Sequence, residues 1–262
     1  MMKRVLVIGK NSYIGQKFNT YVFDKFADSI QISFVSASDN TWEKIDFSSY
    51  DVVLHLSGIV HRKEKKEMET LYYNVNYKLA VEVAKKAKES NVKQFIFMST
   101  AAVYDLNSSR ITKDTKPNPK TFYGKSKLAA EEAIVKLQND SFQVTIVRPP
   151  MVYGDGCKGN YPKLMFIAKY VPIFPEYHNK RSMIHIDNLC ELLADLIKNE
   201  KIGYFHPQDD KFADTCEMVV AIRKEMGKRT FLIRKSDVLI KTLIPHSKII
   251  NKMFNDFYYS EN

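Results

Sequence analysis

Apolar residues follow two alternating rhythms along the chain. Short continuous runs, rich in β-branched residues, occupy 4–8 (RVLVI), Ile30–Val35, 51–56 (DVVLHL), Gln94–Met98 (QFIFM) and Gln143–Val147 (QVTIV). Between them apolar residues recur at helical spacing, as Ile14, Phe18, Val22 and Phe26, then Leu71, Val75, Leu79, Val83 and Ala87, then along 122–137. Apolar runs without alternation, separated by amphipathic helices, predict a parallel sheet covered on both faces. After Arg148 the texture changes. Pro149, Pro150, Pro162, Pro172 and Pro175, with Gly154, Gly156 and Gly159, predict an irregular, ligand-facing region. A helix returns over 189–197 (LCELLADLI) with Asp187 placed to cap it, and short helices and strands follow from about Gly203. The expected division is a sheet domain of residues 1–150 and 181–202 and a smaller lobe of 151–180 and 203–262.

Composition narrows the class. The 262 residues are 45% hydrophobic, enough for a sizeable core and against disorder. The net charge of +10 points to phosphorylated or polyanionic partners. Its lysines are scattered, with short clusters such as Lys63, Lys65 and Lys66, and no basic, aromatic-rich nucleic-acid motif stands out, so nucleic acid is not expected. Cys157, Cys190 and Cys216 are odd in number and lack metal-ligand spacing, which predicts free thiols in a reducing cytoplasm and no metal site. No apolar stretch is long enough to span a membrane, although the charge permits loose contact with an anionic surface. No internal repeat or low-complexity segment is present.

The turn between the first strand and first helix reads Gly9-Lys10-Asn11-Ser12-Tyr13-Ile14-Gly15. Glycine permits positive φ there and lets a pyrophosphate approach backbone N–H groups at a helix N-terminus. Two glycines alone are a weak signal; the strand–turn–helix context strengthens them. A dinucleotide site normally places an acid at the end of the second strand to hold the ribose of NAD. Here Ser36, Ala37 and Ser38 occupy that place, with Asp39 just beyond, and Lys10 lies where a 2′-phosphate would sit. Both features favour NADP over NAD, unless Asp39 reaches the ribose and Lys10 is a solvated surface residue.

Tyr123-Gly124-Lys125-Ser126-Lys127 carries the chemistry. Residues four apart share a helical face, so Tyr123 and Lys127 point into one cleft. A phenol of pKa about 10 is a poor proton carrier at neutral pH, and a nearby cation lowers that value. A chance Tyr-x-x-x-Lys is common, but this one follows the Gln94–Met98 strand and its loop at the spacing the chemistry needs.

These segments resemble the extended short-chain dehydrogenase/reductase family, particularly its NAD(P)-dependent nucleotide-sugar epimerases, dehydratases and reductases. The resemblance runs from Lys3 to about Ile197. It implies a Rossmann-type α/β fold, a doubly wound parallel sheet with a small C-terminal α+β substrate lobe. It places the third catalytic hydroxyl at Thr100, within Ser99-Thr100-Ala101-Ala102-Val103-Tyr104, and assigns Lys127 to the nicotinamide ribose. Ser12 stands where the family has a middle glycine. Asp46 resembles the acid that binds the adenine amino group, or is a turn residue. Leu56, Ser57 and Gly58 match the small-residue turn beneath the cofactor, Met98 the strand end beside it, and His55 is expected to pack locally. Asn76 matches a structural asparagine beside the cofactor. Pro149, in Arg148-Pro149-Pro150-Met151-Val152-Tyr153-Gly154, matches the segment leading from nicotinamide to substrate, although Met151 replaces a substrate-contacting Asn. Arg181, in Arg181-Ser182-Met183-Ile184-His185-Ile186-Asp187-Asn188, is implied to bind the substrate diphosphate, and Ser99 to lie at the substrate. A homodimer through the helices at 71–87 and 122–137 is common in the family.

The implied reaction is hydride exchange between a nicotinamide and C4 of a nucleotide diphosphate sugar. Thr100 is followed by Ala101 and Ala102 rather than an Asp-Glu pair, which disfavours dehydration. Between the remaining outcomes the NADP argument tilts towards a 4-ketoreductase, with a UDP-sugar 4-epimerase as the alternative. A non-catalytic NAD(P)-binding regulator is the remote third reading, since such proteins often lose the Tyr or Lys present here.

Overall fold

The computed structural model describes residues 2–60, 65–105, 107 and 109–260. Lys63 of the basic cluster lies outside them. The N-terminal elements are β1 (Lys3–Ile8), α1 (Tyr13–Lys25), β2 (Ile30–Val35), β3 (Val52–His55), α2 (Glu69–Tyr72), a π-helical segment (Tyr73–Lys78), α3 (Leu79–Glu89), β4 (Gln94–Met98), β5 (Arg110–Ile111), α4 (Phe122–Val135) and β6 (Gln143–Val147). There follow β7 (Met151–Tyr153), α5 (Asn160–Tyr170), β8 (Ile173–Pro175), β9 (Met183–His185), α6 (Ile186–Lys198), β10 (Gly203–Phe205), α7 (Thr215–Glu225), β11 (Phe231–Ile233), α8 (Asp237–Leu243), α9 (Lys248–Phe254) and β12 (Tyr258–Tyr259).

The apolar runs pair as one parallel six-stranded sheet in the order β10-β6-β4-β3-β1-β2. Successive residues of a strand face opposite sides, and β1 serves both. Val5 and Val7 pack with Phe18 and Val22 of α1 and Leu189 and Leu193 of α6, whereas Leu6 and Ile8 pack with Val83 and Ala84 of α3 and Ala130 and Ile134 of α4. Helices on both faces explain why the strands are apolar without alternation, as β4 is buried at every position. The order reverses between β1 and β3, so a crevice opens outside their carboxyl ends, where doubly wound sheets bind ligands.

Two local expectations are corrected. The helix expected across 71–87 is interrupted: Tyr73–Lys78 is π-helical and carries the buried Asn76. Across the wider turn the buried face shifts by one position, to Tyr72 and Asn76 with Leu71 exposed, and the apolar repeat in the sequence does not reveal it. Asp187 does not cap α6; His185 is the N-cap and its Nδ1 accepts the Asp187 N–H at 3.3 Å, which places Asp187 in the first turn. The cause is that the helix begins at Ile186, earlier than its leucine-rich stretch indicates.

A separate apolar cluster holds the C-terminal helices together, with Leu164 and Ala168 of α5, Phe174 of β8, Val219 and Ile222 of α7 and Phe254 of α9. Short parallel pairs β7–β9 and β5–β12 tie this region to the sheet.

Gly124 lets α4 approach the loop after β4. A Cβ there would lie 2.2 Å from the Ala102 carbonyl oxygen, a backbone atom that cannot yield without moving the loop. Gly124→Ala should therefore cost about 1–3 kcal/mol, read as a lower urea midpoint at unchanged slope. An unaltered midpoint would show that α4 does not depend on this contact.

Candidate active site

The crevice starts at the glycine turn. Gly9 adopts φ of +124°, and a Cβ on it would meet the Ser57 nitrogen at 3.2 Å, so the turns after β1 and β3 touch through backbone. Ser12 caps α1, its Oγ accepting the Gly15 N–H at 3.3 Å. Tyr13 and Ile14 open the first turn of α1, whose N–H groups have no intrahelical acceptor and suit a phosphate. Gly15 is buried, with Leu56 and Phe34 within 3.2 Å of where its Cβ would stand. Lys10 is exposed on the turn. The loop at 154–157 closes over it: the Tyr13 hydroxyl donates to the Asp155 carbonyl at 3.0 Å, and Lys17 Nζ lies 3.8 Å from the Asp155 carboxylate. Burial pushes the Tyr13 phenol up to about 12, helped by Cys157 and Asp155.

Beyond the end of β2 the acids are already engaged. Asp39 accepts from the Thr41 N–H at 3.1 Å and hydroxyl at 2.7 Å. Asp46 caps the short helical turn Phe47–Ser49, accepting the Ser48 N–H at 2.9 Å and hydroxyl at 2.7 Å. These bonds to Ser48 hold the exposed Asp46 carboxyl below the usual range.

Further along the crevice, α4 carries Tyr123 and Lys127. Thr121 caps the helix, accepting the Gly124 N–H at 3.0 Å. Tyr123 and Lys127 follow one turn apart. Lys127 is buried, and its ammonium donates to the Met98 carbonyl at 2.9 Å and sits 4.5 Å from the Phe97 ring centroid. Burial pulls its pKa from 10.5 down to about 8, against the opposing effect of Glu131. Burial likewise pushes the Tyr123 phenol up to about 12, while its hydrogen bond with Thr100 acts downward. Thr100 Oγ1 also accepts the Ala102 N–H at 3.1 Å. Tyr123, Lys127, Thr100 and Met98 thus converge at the carboxyl end of β4, where the Pro149 carbonyl accepts the Ala101 N–H at 2.9 Å.

Gly58 borders the same space. A Cβ on it would lie 3.0 Å from Asn76 Oδ1 and 3.3 Å from Lys127 Nζ, so any side chain would fill the approach to the lysine. Asn76 itself is structural: Oδ1 accepts the Ile59 N–H at 2.7 Å, and Nδ2 donates to the Ile59 carbonyl and to Ser126 Oγ, both at 3.1 Å. Gly9 and Gly58, without side chains, line the way from the glycine turn to Lys127, which fits the close backbone approach of a dinucleotide. His55 is buried against Phe95 and Phe97, and neither ring nitrogen has a hydrogen-bond partner. Burial, with Lys127 nearby, lowers it to about 3, so it stays neutral.

The buried charges behind Lys127 were not legible as a site. Ser99, expected at the substrate, donates instead to Glu131 Oε1 in the interior. Glu131 pairs with Arg148, Nη2 to Oε2 at 2.5 Å and Nε to both oxygens at 3.1 and 3.2 Å. Arg148 Nη1 donates to the Tyr104 hydroxyl at 2.6 Å, and Tyr104 meets His206 Nε2 at 2.8 Å. A signal existed: Glu131 lies four residues beyond Lys127 on the same helical face. A cavity of about 360 Å³ lined by Tyr204, His206 and Tyr259 adjoins this network rather than Tyr123. Arg181 is further off, its Nη1 donating to the Asn255 carbonyl at 2.9 Å while its backbone bridges Ala213 and Phe257. Among the described residues no cluster of His, Cys, Asp or Glu could hold a metal ion.

Residues 5–203 match the NAD dependent epimerase/dehydratase family. The chain belongs to that family. It is 32% identical over 256 residues to a UDP-glucose 4-epimerase of Vibrio cholerae, covering 88% of this chain and 78% of that one. It is 26% identical over 248 residues to an N-acetyl-alpha-D-glucosaminyl-diphospho-ditrans,octacis-undecaprenol 4-epimerase of Escherichia coli O157:H7, covering 87% and 74%. Its fold matches a dTDP-4-dehydrorhamnose reductase of Bacillus anthracis in complex with NADP, at a TM-score of 0.71 and 17% identity, over 89% of this chain and 84% of that one. As a family member the chain is an NAD(P)-dependent enzyme of the short-chain dehydrogenase/reductase type. No helix among the described residues is long and apolar enough to cross a membrane.

Glu131→Gln leaves the Arg148 guanidinium buried without its counter-ion and should destabilise the fold by about 3–5 kcal/mol. Chemical denaturation reads this directly, and a loss below about 1 kcal/mol would mean that the pair contributes little.

Proposed function

We propose that the chain is a sugar 4-epimerase that oxidises the C4 hydroxyl of a nucleotide diphosphate hexose and returns the hydride to the opposite face. The carrying observation is the convergence of Tyr123, Thr100 and the buried Lys127 at the end of β4, beside the glycine turn at the switch point of the sheet. A bound nicotinamide supplies the hydride acceptor, and then the donor, at its C4. The chain's own groups move the proton. Tyr123 takes it from the sugar hydroxyl and later gives it back, and Thr100 orients that hydroxyl and through its hydrogen bond with Tyr123 favours the phenolate against burial. Lys127 also has donors for the nicotinamide ribose, and Arg181 retains further guanidinium N–H groups for the substrate diphosphate.

Return of the hydride requires a cofactor that stays bound. The 4-epimerase activity named for two sequence relatives supports the same reading. It reverses the tilt towards reduction that residues 36–39 suggested. The second reading is a 4-ketoreductase that exchanges NADPH. It draws on the exposed Lys10, and on Ser36 to Ser38 in place of the ribose carboxylate. A homodimer would use the groove of about 370 Å³ between α3 and α4, lined by Tyr77, Val81, Ala129 and Ala133.

The test is incubation of purified protein with a UDP-hexose and no added cofactor. The 4-epimer should form without net change in absorbance at 340 nm, and Tyr123→Phe should lower turnover by at least about 10²-fold while retaining bound cofactor. Unchanged turnover in that variant would sink the mechanism, and stoichiometric consumption of added NADPH by a 4-keto sugar would assign the chain to the reductases.

A further inference from the structure

In the C-terminal lobe, α5 and the β8–β11 pair leave large apolar side chains uncovered, as do Val238, Leu239 and Ile249 of α8 and α9. On α5, Phe166 is 65% exposed and Tyr170 58%, with ring centroids 4.7 Å apart. The chain continues through Pro172, whose carbonyl accepts the Phe231 N–H at 2.8 Å, into the parallel pair β8–β11. Ile173 lies opposite Phe231 and Pro175 opposite Ile233, while Phe174 between them is buried in the lobe. All three residues of β11 are exposed, Leu232 at 38%, and the most exposed side chains of the pair are Ile173, Phe231 and Ile233. They are 55%, 61% and 53% exposed.

Cations surround this face. Lys169 Nζ lies 5.3 Å from the Tyr170 ring centroid, and Lys228 Nζ donates to the Lys169 carbonyl at 2.8 Å. Arg229 precedes β11 and Arg234 and Lys235 follow it, all exposed. Glu176, Glu225 and Asp237 are the neighbouring acids in sequence. Buried Arg223 fastens the corner, donating to the Ala168 carbonyl at 2.6 Å and to the Arg229 carbonyl at 2.6 and 3.1 Å. The end of α5 and the turn before β11 therefore form one rigid platform.

An aromatic and aliphatic centre with a Lys and Arg rim is the composition of a surface that lies on an anionic bilayer. A second copy seated by two-fold symmetry would set the same cationic rim against itself. A nucleic acid would meet the rim but not the apolar centre. We propose that this face docks the enzyme onto a membrane rich in anionic phospholipid, with Phe166, Tyr170, Ile173, Phe231 and Ile233 entering the headgroup layer. The docking is peripheral and independent of which sugar the site turns over.

The test is flotation of the full chain with phosphatidylcholine vesicles that contain phosphatidylglycerol, against phosphatidylcholine alone. The chain should float with the anionic vesicles only. Ile173→Ser with Phe231→Ser should weaken partitioning by at least about tenfold, and Arg229→Gln and Arg234→Gln by about fivefold each at low salt. These positions are exposed, so a melting curve matching that of the unsubstituted chain separates lost docking from lost fold. Absence of flotation, or equal flotation of the apolar double variant, overturns the proposal. A dimer in sedimentation velocity that vanishes with Ile173→Ser and Phe231→Ser also overturns it, by giving the face to a second copy.

Discussion

Lys127 carries an ammonium group into the interior, and the surrounding structure is arranged to keep it there. Removing a cation from water costs several kcal/mol even after relaxation. The Met98 carbonyl, the face of Phe97 and the carboxylate of Glu131 offset part of that cost. What remains appears as a pKa lowered to about 8, low enough for the lysine to titrate within the working range of an enzyme.

Glu131 links this lysine to the sheet. Its carboxylate takes the Ser99 hydroxyl at the end of β4 and the Arg148 guanidinium at the end of β6. Arg148 then reaches Tyr104 and His206. A helix and two strands are thus joined at the level where Tyr123 and Thr100 meet. The carboxylate acts on Lys127 and Arg148 through position and charge. Such a buried pair adds little net stability but is costly to break, which keeps the geometry in one arrangement.

Much of this architecture was legible in the residues. β-branched runs marked the strands of the sheet, because burial on both faces removes alternation, and the two glycines marked the turn at the switch point. Tyr123 and Lys127 were legible because four-residue spacing on a helix is a geometric fact. The π-helical turn was not, since the repeat of Leu71, Val75 and Leu79 runs through it in sequence while the buried face there is Tyr72 and Asn76. Nor was the pairing of Glu131 with Arg148, since the two lie 17 residues apart and only the fold sets them together, although Glu131 shares the helical face of Lys127. Arg181 was placed by its motif, yet its contact with the Asn255 carbonyl depends on a segment 74 residues away. Ser99 and Thr100 stand side by side in sequence, and only strand pleating sends one hydroxyl into the core and the other towards Tyr123.

Titration of the lysine side chains by nitrogen-15 NMR tests the central claim most directly. One ammonium should titrate at about 8 in the cofactor-free protein, protonated below that pH and neutral above it, and its signal should be missing from Lys127→Met. If every lysine instead titrates near the ordinary value of about 10.4, Lys127 is not buried beneath the end of β4 and the account of the site is wrong.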